Sequence, residues 1–285
     1  MSRLVAFSFL AFYFYSSTEM VGKVDAYNVV RVCQNKHCCR RANNGDVLQT
    51  MNNLVGTSDD FVVEASGCLS ECDKGPNVEL TIGNDKVLLH EMVDTQTCAF
   101  KLGEVSTSKP SFPPVPKILV AASKVIEQSQ QFSASGQFEE EIRFLTSVID
   151  KLEVSPAVTP STSVNAHAHA LRAQARLRLA RNKRSSSDEN ENSEKNVIAA
   201  SISDAKRVVQ NLSAVASNKS LALAYRTWTD AELFLAEQQQ RQEEKETLKK
   251  KDFSRVVAVL TEWYRAQPMY RTKLQGEIQG LLLNA

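Results

Sequence analysis

The feature that most constrains this chain is a proline-rich joint, KPSFPPVPK at residues 109–117, where four prolines fall within nine residues. Each proline fixes its own φ and removes a backbone donor, so neither a helix nor a central strand can run through the segment. The chain is held extended there, as a semi-rigid linker. The two sides differ in kind. Strand-like and helix-like runs alternate from residue 27 to 104, whereas almost everything from Lys117 onward is helical. The expected organisation is a domain at 27–106, a linker at 107–117 and a second domain at 118–285, as a length of 285 residues allows.

Composition excludes several classes. Charged residues at 24% and hydrophobic residues at 42% are globular values, which rules out wholesale disorder, a collagen and a coiled-coil rod. Lysine plus arginine, 34, against aspartate plus glutamate, 33, leaves a net charge of +1, so no whole-chain attraction to nucleic acid is expected. Residues 27–106 hold 11 acids against 7 bases, a mild acidity of the kind that steers a carrier onto a basic partner face or belongs to an ordinary solvated surface.

Residues 4–15, LVAFSFLAFYFY, form an apolar run after Arg3. A bilayer span needs roughly 20 residues, so this run reads instead as the core of a cleavable targeting segment, 1–26, with Ser17 or Ala26 at the cut. The alternative is an apolar helix packed on the domain. No span is expected in the mature chain.

Within the first domain, residues 27–32 (YNVVRV) and 61–65 (FVVEA) have strand composition, with a helix expected over 45–55 between them. Two apolar runs around Gly83-Asn84-Asp85 signal a hairpin, and residues 95–103 a closing helix. The order is β, α, β, β-hairpin, α.

All six cysteines lie between Cys33 and Cys98. Four residues separate Cys33 from Cys38, with Cys39 adjacent, and three separate Cys68 from Cys72, each pair following an expected strand. If those strands are neighbours, two pairs of soft thiolates converge. A [2Fe-2S] cluster requires that, because each iron takes two thiolates. Structural zinc, disulfides and a degenerate site that kept the fold are the alternatives. The sequence GCLSECDKGPNV, 67–78, adds a Gly-Pro-Asn turn whose glycines let backbone amides approach cluster sulfurs. Thioredoxin-type exchange needs C-x-x-C, which is absent. No Ser/His/Asp set, Walker loop or dinucleotide fingerprint occurs, so no catalytic residue is nominated. His37 is expected on an exposed loop; His90, His167 and His169 lack metal-binding company.

At VRVCQNKHC and GCLSECDKGPNV the chain resembles the thioredoxin-like [2Fe-2S] ferredoxins, the family that includes the small iron-sulfur subunit of respiratory NADH dehydrogenase, over residues 27–104. The resemblance implies an α+β thioredoxin-like domain with Cys33, Cys38, Cys68 and Cys72 as ligands of a [2Fe-2S] cluster. Cys39 stands where the family carries a non-ligand residue, as a spare thiol or a competitor of Cys38. Cys98 falls in the closing helix, where a buried small hydrophobe is expected.

The second half reads as helical hairpins: 117–153 with a turn at Ala134-Ser135-Gly136, a unit from 166 to 212, another from 220 to 268, and a capping helix from Tyr270. Phe138, Ile142, Leu145 and Ile149 share one stripe. This half resembles the tetratricopeptide repeat family, with Gly136-Gln-Phe138 at a family turn and Pro268 at a terminating position. It implies an all-α array with a concave face for a peptide or protein partner. Two departures stand out: Glu141 occupies a usually small position, and the polar tracts at 181–195 and 238–251 break the period as long loops or helix extensions. Trp228 and Trp263 are expected in the core. Arg172, Arg176, Arg178, Arg181, Lys183 and Arg184 are expected on a solvated helix face.

The function expected is electron transfer by a [2Fe-2S] protein with a redox partner and a docked peptide or protein, possessing no substrate-transforming site of its own. The alternative is a non-redox helical adaptor whose cysteine domain holds zinc or a disulfide. A third role is that of a subunit in an NADH-dependent or hydrogenase-type complex, with other chains supplying the flavin. The resemblance implies a plastid reached through the signal-type presequence; the alternative is the secretory lumen or the exterior.

Overall fold

The computed structural model describes residues 28–39, 46–56, 61–185, 191–243 and 253–283. The expected targeting segment, Tyr27, the start of the helix at Gly45 and parts of both polar tracts lie outside the described residues.

The amino-terminal part is a four-stranded mixed sheet. β1 (Asn28–Cys33) is central, paired in parallel with β2 (Phe61–Ser66) and antiparallel with β3 (Val78–Ile82), which continues into the hairpin strand β4 (Asp85–Leu89). Cys33 closes β1, and a single helical turn, α1 (Lys36–Cys39), follows it. Asp46 caps α2 (Val47–Val55) by accepting from the Gln49 N–H, and Asp94 caps α3 (Thr95–Ser108) by accepting from the Thr97 N–H. Val30, Val32, Leu80, Met51, Leu54 and Leu102 fill the core between sheet and helices. The proline joint joins this core: Phe112 is buried, its ring edge-on to Phe61 at 5.0 Å.

Helices make up the rest: α4 (Lys117–Ala134), α5 (Phe138–Glu153), α6 (Ser163–Ser185), α7 (Glu191–Lys206), α8 (Asn218–Glu243), α9 (Ser254–Ala266) and α10 (Arg271–Leu283), with a π-helical turn, Arg207–Asn211, continuing α7. Neighbours pack in the expected pairs, and both polar tracts extend helices where they are described. Alanines of α6 (Ala166, Ala170, Ala173) allow close approach of α8, whose Tyr225 stacks at 6.0 Å on Trp263 of α9. Both tryptophans are core residues. The architecture is thus a small mixed α+β unit followed by an all-helical one.

The solvated-face expectation for the arginines of α6 needs correction. Arg172 and Arg176 turn inward onto the buried carboxylate of Asp204 at 2.7 and 2.6 Å, with His169 Nδ1 at 3.0 Å. A carboxylate at that depth requires such company. Burial pushes the Asp204 carboxyl up, but the hydrogen bond with His169 and the Arg172 and Arg176 guanidinium groups outweigh it and hold Asp204 below the usual carboxylate range.

The sheet domain is seated on the helices through α2. Asn53 Nδ2 lies 3.2 Å from His167 Nδ1, Ser217 donates to Gln49 Oε1 at 2.6 Å, and Lys219 pairs with Asp46 at 2.7 Å. Thr95 at the start of α3 donates through N–H and hydroxyl to Glu127 of α4. Part of the side formed by α4, α6 and α8, the first helix of each pair, is therefore filled by the chain's own α2.

Candidate metal centre

The parallel register pairs Cys33 with Ser66, so the chain leaves β1 and β2 side by side at the same end. The two cysteine loops start from adjacent points, which meets the condition the spacing required. Cys33 and Cys38 are buried, Cys39 and Cys72 are half-buried and Cys68 is exposed.

The thiols interact. Cys68 and Cys72 Sγ are 3.2 Å apart. Burial pushes the Cys38 thiol up to about 12, with the neighbouring Cys33 and Cys72 thiols adding to the rise and the Asn77 N–H opposing it. The hydrogen bond shared by Cys68 and Cys72 lowers the first thiol and raises the second. All four expected ligand residues are thus brought into one neighbourhood.

Cys39 joins that neighbourhood without entering it in the same way. Its Sγ donates to the carbonyl oxygen of Cys33 at 3.2 Å, and burial raises its thiol. Cys98 stands apart in the core of α3, where burial raises its thiol to about 12. His37 is exposed as expected, while His167 and His169 are structural residues of the helical half.

The residue that unites the constellation is Asn77, fully buried at the end of the Gly-Pro-Asn turn. Its N–H donates to Cys38 Sγ at 3.2 Å, and its carbonyl accepts from the Cys33 N–H at 3.1 Å. Its carboxamide donates to the carbonyls of Ser70 and Glu71 at 2.8 and 3.0 Å, holding the turn between Cys68 and Cys72. Both residues of that turn have positive φ, 69° and 48°, which L side chains rarely adopt, so external hydrogen bonds are what keep it in shape. His90 Nδ1 faces the Asn77 Oδ1 at 3.2 Å and its Nε2 lies 3.4 Å from Glu71. The sequence flagged Asn77 only as the last residue of a turn. What it lacked was the antiparallel register that lays the start of β3 against the end of β1.

Gly75 makes the close approach possible. A Cβ there would lie 2.4 Å from Cys38 Sγ and 3.0 Å from Cys38 Cα, so only glycine lets the two loops meet. The following Gly75–Pro76 peptide is cis.

Four thiols on two converging loops, a backbone N–H aimed at one sulfur and a glycine opening beside it form a donor set that fits a thiolate-ligated cluster. Among the described residues no group of three or more His, Cys, Asp or Glu is arranged at the spacing of a single bound metal ion. No helix among them is long and apolar enough to cross a membrane. The chain matches no family model, no curated protein and no solved structure.

Proposed function

We propose that the chain is an electron-transfer protein whose Cys33, Cys38, Cys68 and Cys72 hold a [2Fe-2S] cluster in a thioredoxin-like module seated on a tetratricopeptide-like helical array. The observation that carries this reading is the meeting of both cysteine pairs at the shared end of β1 and β2, tied together by Asn77. Two further arrangements support the finer fold assignment. Among the described residues the elements run β, α, β, β-hairpin, α with sheet order β2-β1-β3-β4, and three helix pairs are followed by one further helix.

Such a cluster supplies one-electron transfer, at a potential set by hydrogen bonds to sulfur and by solvent access. The chain's own contribution is asymmetric. Cys33 and Cys38 are buried behind Asn77, while Cys68 reaches solvent next to Glu71 and Asp73. A redox partner therefore approaches at the solvent-exposed Cys68–Cys72 edge. The array's part is to hold the module through α2 and to offer what remains of its inner side to a partner protein or peptide. Plastid delivery through the presequence belongs to the same reading, and a reporter fused after residue 26 tests it against the secretory lumen.

The test is production of the full chain under anaerobic conditions, followed by the visible spectrum and assays of iron, acid-labile sulfide and zinc. Equal iron and sulfide in a brown protein is the expected result. A second reading, a non-redox adaptor with a disulfide, is favoured by the 3.2 Å approach of Cys68 and Cys72 alone. It predicts a colourless protein with those two thiols oxidised, and zinc without sulfide would point to a structural metal.

A further inference from the structure

Glu141 broke the small-residue pattern of the helical half, and it lies at a second, unrelated site. It lines a pocket of about 470 Å³ bounded by α4, α6 and α8 and by Glu141 itself at the start of α5, on the side where α2 is seated but beyond it. Along α6 the lining residues are His167, Leu171, Gln174 and Arg178, one stripe at helical spacing. His167, at one end, is committed to Asn53 of α2. From Leu171 to Arg178 the stripe runs for about 10 Å at 1.5 Å per residue.

The Arg178 end is chemically unusual. Glu141 is 2% exposed, yet its Oε2 has no hydrogen-bond partner. Arg178 spends one N–H on Ser133 Oγ at 2.6 Å, and Ser133 and Arg178 both lie close enough to Glu141 to favour its ionised form, so acid and guanidinium sit near one another without a direct ion pair. Most of the guanidinium fork remains to be used. Gln130 and Gln174 make no side-chain hydrogen bond to the described residues, and Leu171 and Leu223 supply an apolar wall. Buried polar groups are normally paired, so an acceptor and a donor fork left open at one end of a pocket mark the place of a ligand.

We propose that this pocket binds a free α-amino acid, with its ammonium on Glu141, its carboxylate on Arg178 and its side chain along Leu171 and Leu223 toward Gln130 and Gln174. The class follows from charge. Arg178 repels a simple amine, and a simple acid leaves the Glu141 carboxyl without a partner, whereas a head group carrying both charges on one carbon satisfies the pair. The site is separate from the cysteines, so the inference stands whether or not a cluster is bound there.

The test is calorimetric titration of the full chain with L-leucine and L-glutamine, with their N-acetyl derivatives and with their methyl esters. Saturable binding of at least one free amino acid is expected, at least about tenfold weaker after either modification. In Glu141→Gln the penalty for N-acetylation disappears and in Arg178→Gln the penalty for esterification disappears, both variants being checked for fold by circular dichroism. Absence of saturable binding by the folded wild-type chain overturns the proposal, as does binding by wild type that is indifferent to both modifications or keeps both penalties in the two variants.

Discussion

The Asn77 N–H points at Cys38 Sγ from 3.2 Å, while the same residue's carboxamide grips the carbonyls of the turn that separates Cys68 from Cys72. One side chain and one peptide unit thus fix two loops that are far apart in sequence. Removing the carboxamide leaves the backbone N–H in place but frees the turn. Asn77→Ala is expected to lower stability by about 1–3 kcal/mol in urea unfolding, the usual cost of losing buried hydrogen bonds. It should also raise the rate at which Cys68 and Cys72 react with a thiol reagent, whereas Cys98 in the α3 core should not change.

Gly75 gives a sharper test of loop proximity. A methyl group there would overlap Cys38 Sγ and press on Cys38 Cα, and the backbone cannot retreat as a flexible side chain would. Gly75→Ala is expected to cost about 1–3 kcal/mol or more through overpacking. Gly83→Ala, at a hairpin turn where no atom lies within 4 Å, serves as the comparison: any cost there comes from its positive φ and leaves thiol reactivity unchanged.

The seat of the sheet domain should be unequally sensitive. Asn53 and His167 meet in a buried contact, and burial lowers the imidazole to about 4, so it is neutral at ordinary pH. Asn53→Ala strands that buried ring and is expected to cost about 1–3 kcal/mol. Lys219→Ala breaks only an exposed pair with Asp46 and should cost less than about 1 kcal/mol. Chemical denaturation of both variants checks the order.

Glu141 carries a pH signature. Burial raises its carboxyl from 4.5 to about 7, so the folded state favours the protonated form. Its contribution to stability is fully present below about pH 4.5 and is lost as pH rises through 7, a change on the order of 2–3 kcal/mol. Glu141→Gln, which cannot ionise, is expected to match wild type near pH 4.5 and to melt at higher temperature at pH 8. His167 slopes the other way, its contribution being lost as pH falls from 6.5 toward 4, but it is common to both proteins and cancels in the comparison.

Much of the architecture was legible because it rests on local signals. The valines of β1 and β2, the Gly83 turn and the Gly136 turn between α4 and α5 mark elements that depend on few distant contacts. The cysteine pairs were readable for the same reason: the first begins on the last residue of β1 and the second just after β2. What sequence could not show was long-range. Arg172 and Arg176 look like surface cations until α7 brings Asp204 beneath them. Asn77 looks like a turn residue until β3 lies against β1, and nothing local to residues 45–55 shows that Asp46, Gln49 and Asn53 meet Lys219, Ser217 and His167.

The measurement that bears most directly on the central claim is paramagnetic resonance of the full chain, isolated anaerobically and reduced with dithionite, as wild type and as single serine variants of Cys33, Cys38, Cys39, Cys68 and Cys72. A rhombic signal that is lost or shifted in each of the four ligand variants and unchanged in Cys39→Ser is the predicted result. Wild-type protein that is folded but silent and free of iron, or a signal indifferent to Cys68→Ser and Cys72→Ser, would contradict it.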